Sequence, residues 1–96
     1  VRNQTRFESK DLYGRLKRQR QQLRLYQSRL LPQVRATYQS SRTAYEAEQT
    51  DFFSTLEALR GQFEMELAYY ELKSAYETDR AHLQWVLGQN SQEETP

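Results

Sequence analysis

The side chains that could do chemistry in this chain are one histidine, His82, and carboxylates along the second half, including Glu64, Glu66, Glu71 and Glu77. A typical transition-metal site needs several imidazole or thiolate ligands, and the chain has one His and no Cys. Acid/base catalysis needs a cleft that raises a carboxyl pKa, and carboxylates spread around a helix have none. The sequence therefore predicts a protein that binds no metal or cofactor and is not an enzyme.

Polyanion binding is the other chemistry to consider, because basic residues are dense between Arg15 and Arg24. That segment lacks the interleaved aromatic residues that stack on bases. The two halves of the chain also carry opposite charges, +8 over residues 1–47 and −7 over residues 48–96, which leave a net charge of +1. Nucleic acid and anionic lipid remain alternatives, but pairing within the chain explains the basic half more simply. We expect no nucleic-acid partner and a chain that folds back on itself.

Composition and spacing indicate one all-α domain. Of the 96 residues, three are Gly and two are Pro, and apolar residues recur at steps of three and four rather than two. No apolar run approaches the roughly 20 residues of a membrane span.

The first half predicts a helix over about residues 5–46. Pro32 cannot donate the amide hydrogen bond to the carbonyl of Ser28, and its ring crowds that carbonyl, so we expect a kink there, with a break as the alternative. The apolar stripe that defines this helix contains Leu12, Leu16, Leu23, Leu30, Val34, Tyr38 and Tyr45.

The second half predicts a helix over residues 52–88, capped by Thr50 or Asp51. Gly88, followed by polar residues, is a typical helix stop, so residues 89–96 are expected to form a disordered tail. The apolar stripe of this helix contains Phe52, Leu56, Leu59, Phe63, Leu67, Tyr70, Leu83 and Leu87.

The connection between the helices, residues 47–51, is so short that the helices must be antiparallel neighbours. The expected fold is a coiled-coil-like two-helix hairpin on the order of 60 Å long. Pairing the stripes gives a predicted hairpin core of Leu30, Val34, Tyr38, Tyr45, Phe52, Leu56, Leu59, Phe63 and Leu67.

Three further expectations follow from this pairing. Ala36 falls opposite Gly61, which predicts a close approach of the two backbones. Cross-helix ion pairs are expected between Arg20 and Glu77 and between Arg18 and Asp79. The aromatic residues off the stripe predict a second interface, through which the hairpin would self-associate as a four-helix dimer; they are Tyr13, Phe53 and Tyr69.

The segment from Tyr45 to Arg60 resembles the pattern Tyr-x-x-Gly-x-x-x-Phe-x-x-x-Leu-(Asp/Glu)-Ala-x-Arg of the TolC-type outer membrane efflux proteins. Upstream, the segment from Tyr26 to Val34 is similar to the Tyr-x-x-x-(Leu/Ile)-(Leu/Ile)-Pro-x-(Ala/Val) segment of the heavy-metal branch of that family. The segments Glu66 to Tyr70 and Leu83 to Gly88 also fit, so the resemblance covers about residues 12–88. One position departs from the pattern, because Glu48 stands where the family has its tip glycine. A Cβ disfavours positive φ, so we expect a turn of different shape and altered adaptor contact at that position.

The resemblance implies a fragment of a larger, homotrimeric channel in the outer membrane of a bacterium. This chain would be its last periplasmic hairpin, part of the passive conduit of a tripartite pump that includes a periplasmic adaptor (membrane fusion protein) and an inner-membrane pump. The tip would meet the adaptor through Ala47, Glu48, Gln49, Thr50 and Asp51. The alternative is a free-standing antiparallel coiled coil that acts as an interaction scaffold.

Overall fold

The computed structural model describes the backbone of residues 2–94 and the side chains of residues 9–89. The first arm comprises α1 (Arg2–Leu25), a π-helical turn (Tyr26–Leu30) and α2 (Leu31–Glu46), and the second arm is α3 (Phe52–Glu94). The arms lie antiparallel in a rod of 74 × 16 × 15 Å, and the described range contains no strand. The predicted all-α, two-helix hairpin is confirmed.

The second arm is longer than the sequence predicted. α3 continues through Gly88 to Glu94, so the predicted stop and the disordered tail are wrong over residues 89–94, while residues 95 and 96 lie outside the described range. An interior glycine costs a helix only about 1 kcal/mol relative to alanine, and the Gln and Glu residues that follow Gly88 are good helix formers.

Pro32 interrupts the first arm without breaking it. The amide of Leu31 donates to the carbonyl of Tyr26, five residues back, and the helix then continues with Pro32 in its first turn. One turn of π-helix is a common way to absorb a missing i to i−4 bond. The extra residue shifts the stripe, so that Leu31 is buried and Leu30 only half-buried. The expected interruption is therefore a π-helical turn.

The half of the hairpin far from the turn has an apolar core. Leu12 and Leu16 of α1 pack with Leu83 and Val86 of α3, and Tyr76 packs against this cluster. Val86 is 1% exposed, the lowest value among the described residues. This cluster fixes which side of α3 faces the first arm.

The predicted core is mostly wrong in the half next to the turn. Leu30, Val34 and Tyr38 are half-buried. The other six predicted core residues are 41–65% exposed; they are Tyr45, Phe52, Leu56, Leu59, Phe63 and Leu67. The positions of α3 that face the first arm there are half-buried, and several of them carry small side chains; they include Thr55, Ala58, Met65 and Ala68.

The rotation of α3 explains this correction. Thr55, Ala58, Met65, Leu83 and Val86 lie within one half of the helix circumference, which also contains the half-buried positions 72 and 76. The large stripe, by which we mean the predicted apolar residues from Phe52 to Tyr70, points in a different direction. Position 83 is 13 residues after position 70, and at about 100° per residue its side chain is rotated by roughly 220° around the helix axis. Because Leu83 and Val86 are buried, a continuous helix must turn the large stripe outward.

Other expected contacts across the arms also differ. A Cβ built on Gly61 meets nothing within 4 Å, and Ala36 is exposed, so the predicted close approach is absent. Asp79 pairs with Arg15 at 3.8 Å and accepts a 3.0 Å hydrogen bond from Gln19, in place of the predicted Arg18.

Arg20 and Glu77 are both exposed and form no ion pair in the described part of the hairpin. Tyr69, expected on a second interface, instead lies between the arms, where its hydroxyl accepts a 2.6 Å hydrogen bond from Gln27. Tyr13 and Phe53 are 63% and 66% exposed, as a second interface requires.

Two neighbouring leucines of α3 test the core assignment. Leu83→Ala removes a side chain that is 8% exposed and should lower the free energy of unfolding by about 2 to 5 kcal/mol. Leu87→Ala, at a side chain that is 49% exposed, should lower it by less than about 1 kcal/mol. Urea unfolding followed by circular dichroism measures both, and equal losses would contradict the assignment.

Candidate docking site at the hairpin tip

The chain reverses direction through a defined set of backbone hydrogen bonds. The amide of Glu48 donates to the carbonyl of Tyr45 at 3.0 Å, and the amide of Gln49 donates to the carbonyl of Ala44 at 2.8 Å. With Ala47 as the C-cap, these are the two bonds of a Schellman motif, which satisfies carbonyls at the end of α2. The first half of the tip is therefore rigidly shaped.

Glu48 is the strained residue of this motif. Its φ is 59°, and it is the one residue with positive φ in the described part of the chain. The first position after a C-cap normally holds glycine, because a Cβ costs roughly 1 to 2 kcal/mol in the left-handed region. Glu48 thus adopts the backbone conformation that a glycine would favour at this place.

Asp51 starts the second arm. Its Oδ1 accepts a 2.7 Å hydrogen bond from the amide of Ser54, the third residue of the new helix, which is the geometry of an N-cap. Hydrogen bonds from Ser54, through its side chain and then its backbone amide, lower the pKa of Asp51 below its ordinary value of 3.8. Of the two predicted caps, Asp51 is the one that acts.

The predicted tip residues form an accessible surface. Ala47, Glu48, Gln49 and Asp51 are exposed, and Thr50 is half-buried. Next to them, the outer side of α2 forms a shallow hollow of about 360 Å³, lined by Gln39, Ser40, Thr43, Ala44 and Gln49. The tip could thus hold another protein by shape and by backbone and side-chain polar groups.

A second accessible surface begins directly after the turn. We call it the outer stripe, and it consists of Phe52, Leu56, Leu59, Phe63, Leu67 and Tyr70. Its members recur at steps of three and four and are 41–65% exposed. Sequence reasoning found these residues but placed them inside the hairpin, and the phase jump between positions 70 and 83 was the signal of a second stripe.

The described residues offer little for catalysis. No group of three His, Asp or Glu side chains within them could hold a metal ion. His82 is exposed, and the centroid of its ring lies 6.2 Å from the ring centroid of Trp85. None of the helices in the described range is both long enough and apolar enough to cross a bilayer.

Comparisons of the chain with protein-family models, with curated proteins and with solved structures found no match. The resemblance to efflux proteins therefore depends on the motif residues alone.

Glu48→Gly tests the strain at the tip. Glycine enters the left-handed region without a Cβ penalty, so the variant should be more stable by about 1 kcal/mol. The same substitution at exposed Glu57, inside α3, should destabilise by about 1 kcal/mol, because glycine is a poor residue in a helix interior. Thermal unfolding measures both, and changes of the same sign would contradict the turn geometry.

Asp51 gives the tip a pH dependence. Its pKa is lower in the folded chain, so the contribution of its carboxylate to stability is present above the unfolded pKa and is lost as the pH falls through the folded pKa. Asp51→Asn keeps an oxygen acceptor for the cap but does not titrate. Below about pH 4, the wild-type chain should lose stability more steeply than Asp51→Asn in acid unfolding curves. Parallel curves would show that Asp51 does not act as the charged cap.

Proposed function

We propose that this chain is the adaptor-docking periplasmic hairpin of a TolC-type outer membrane efflux channel and forms part of its passive conduit. The observation that carries this proposal is the position of the left-handed residue. In the segment from Tyr45 to Arg60 that resembles the family, the family glycine corresponds to Glu48, and Glu48 is the described residue with positive φ. A generic helical hairpin has no reason to place its turn at that offset within those side chains.

The shape of the molecule supports a conduit more than a catalyst. A rod of 74 Å made of two long arms can carry the wall of a channel from the membrane toward a partner at its tip. The outer stripe supports lateral packing, because α3 has one apolar face toward the first arm and another available to a neighbouring hairpin. In this proposal the homotrimeric channel acts by shape, while an inner-membrane pump selects the substrate.

In the proposed pump, the tip meets a periplasmic adaptor. The exposed residues of the turn stand between the ends of two rigid helices, so a partner meets a surface that needs little ordering on binding. We expect contact at Ala47, Glu48, Gln49, Thr50 and Asp51.

The alternative, an interaction scaffold, is favoured by one observation, the length of the outer stripe. A scaffold would bind partners along α3 and would not need its tip. Binding at the tip and binding along the arm can be separated by mutation.

The test changes tip side chains without changing the turn. A variant that permutes Ala47, Gln49 and Thr50 keeps Glu48 and Asp51, and with them the strained residue and the N-cap. Titration against adaptor proteins of heavy-metal efflux systems should show binding to the wild-type chain and a loss of roughly tenfold or more for the variant.

The matched control permutes three exposed residues of α3 far from the turn, Ser74, Glu77 and Gln84, and should bind adaptor like the wild type. Equal adaptor binding by the tip variant, or no binding by the wild type to any adaptor, would contradict the proposal and favour the scaffold.

A further inference from the structure

One flank of the hairpin carries basic side chains that the fold leaves unpaired. Lys17, Arg20 and Arg24 of α1 are exposed and recur at steps of three and four, so they form one row along the helix, which we call the basic row. None of the three has an ion-pair partner among the described residues. With Tyr13 and Gln21 they line a shallow hollow of about 330 Å³. The expected pairing within the chain therefore does not neutralise this row.

The second arm has two cations on one flank that an ion pair marks. Arg35 and Glu66 pair across the arms at 3.2 Å, so they lie on the same flank of the hairpin. Lys73 and Arg80 follow Glu66 at steps of seven, and seven residues amount to nearly two whole helical turns. Both cations are exposed on the side of α3 that Glu66 marks.

A second ion pair shows that the basic row lies on this flank as well. Asp79 is 13 residues after Glu66 and is rotated from it by roughly 220°, so its pair with Arg15 at 3.8 Å closes the opposite flank. The members of the basic row are rotated by roughly 140° to 200° around α1 from Arg15. They therefore point to the flank of Glu66, where the two cations of α3 lie.

The cations of the two arms are also level with each other. Gln19 donates a 3.0 Å hydrogen bond to Asp79 across the arms, so residues 17–24 are level with about residues 73–80. We call the resulting surface the basic flank; it comprises Lys17, Arg20, Arg24, Lys73 and Arg80. One exposed carboxylate, Glu77, stands among them, so five cations and one anion leave a net charge of +4.

The fold itself does not compensate this charge. Like charges at helical steps of three and four repel each other, as Lys17, Arg20 and Arg24 do. Other acids of α3 at neighbouring levels point away, since Glu64 and Glu71 lie about half a turn around the helix from Lys73. An anion from solution would relieve the repulsion and would stabilise the folded chain by binding to it.

We propose that the basic flank binds a soluble anion that carries two or more phosphate groups. The hollow is lined by three cationic side chains and by a hydroxyl and an amide that also donate hydrogen bonds, and no carboxylate lines it. A phosphate group brings up to about two charges and three acceptor oxygens, and it forms charge-assisted bonds with guanidinium and ammonium groups. A single carboxylate would leave most of the +4 uncompensated, whereas two phosphate groups nearly balance it.

A soluble anion fits this flank better than a lipid surface does. Helices that lie on a membrane bury a face of large apolar side chains next to their cations. Of the exposed large apolar residues in the described part of the chain, only Tyr13 lines the hollow. The site also uses no residue of the tip or of the outer stripe, which ends at Tyr70, so it is independent of adaptor docking and of lateral packing.

Pyrophosphate is the simplest probe, because it consists of two linked phosphate groups. Isothermal titration calorimetry of the full chain at low ionic strength should show one pyrophosphate bound per chain. Replacing Arg20 and Arg24 together by Gln should weaken binding roughly tenfold or more, because each loses charge-assisted hydrogen bonds. Circular dichroism checks that the double variant remains helical.

The matched control removes the same charge elsewhere. Arg42 and Arg60 are exposed and lie roughly 20 Å or more along the rod from the basic flank. Replacing both by Gln should leave pyrophosphate binding within about threefold, because charges at that distance are largely screened. No binding by the wild-type chain, or equal losses in the two double variants, would overturn the proposal.

A gain of affinity locates the anion independently of any loss. Glu77→Gln removes the one carboxylate of the basic flank and should tighten pyrophosphate binding roughly threefold. Glu57→Gln makes the same change of charge near the tip and should have little effect. Equal effects of the two substitutions would place the anion elsewhere on the chain and overturn the site.

Two further titrations test the chemistry and the source of the anion. Citrate, which carries three carboxylates and no phosphate, should bind several-fold more weakly than pyrophosphate, and equal binding would overturn phosphate recognition. Vesicles of phosphatidylcholine with phosphatidylglycerol should sediment no more of the chain than vesicles of phosphatidylcholine alone. Capture by the anionic vesicles that pyrophosphate does not reverse would overturn the soluble source.

Discussion

The stripe that α3 buries against the first arm determines most of what this molecule presents to its surroundings. α3 is one continuous helix of 43 residues, and it carries two apolar stripes of different phase. A single straight helix can bury only one of them against a single partner helix. The buried pair Leu83 and Val86 selects the stripe with smaller residues near the tip, and Phe63 and its neighbours are left in water. The lateral packing proposed above follows from that choice.

The turn is the second feature on which the structure depends. Backbone bonds from Glu48 and Gln49 end the first arm, and the side chain of Asp51 begins the second, so the reversal occupies five residues with little freedom. A glutamate in a conformation that favours glycine indicates that the turn shape is imposed by the flanking helices. A rigid, exposed tip at the end of a long rod is suited to docking, and it connects the efflux proposal to the sequence pattern around Tyr45.

The sequence was sufficient for the fold class, the position of the turn and the antiparallel register. Apolar spacing and the short connection predicted these, and the ring contact of Tyr45 with Phe52 at 5.8 Å lies where the pairing placed it. The rotation of α3 was missed because the larger stripe near the tip was read as the inner one, although Tyr70 and Leu83 are out of phase. The π-helical turn and the helix beyond Gly88 depend on small energy differences that local patterns do not resolve.

The rotation of α3 is tested most directly by cysteine pairs in this Cys-free chain. The hydroxyl of Thr55 donates to the carbonyl of Ser41 at 3.3 Å, so Ser41→Cys with Thr55→Cys should form an intramolecular disulfide under mild oxidation. Ser41→Cys with Leu56→Cys should not, because Leu56 is 45% exposed on the outer stripe. Mass spectrometry of the monomer fraction measures both. Efficient closure of the Leu56 pair, with none for the Thr55 pair, would restore the large stripe to the core and contradict the account.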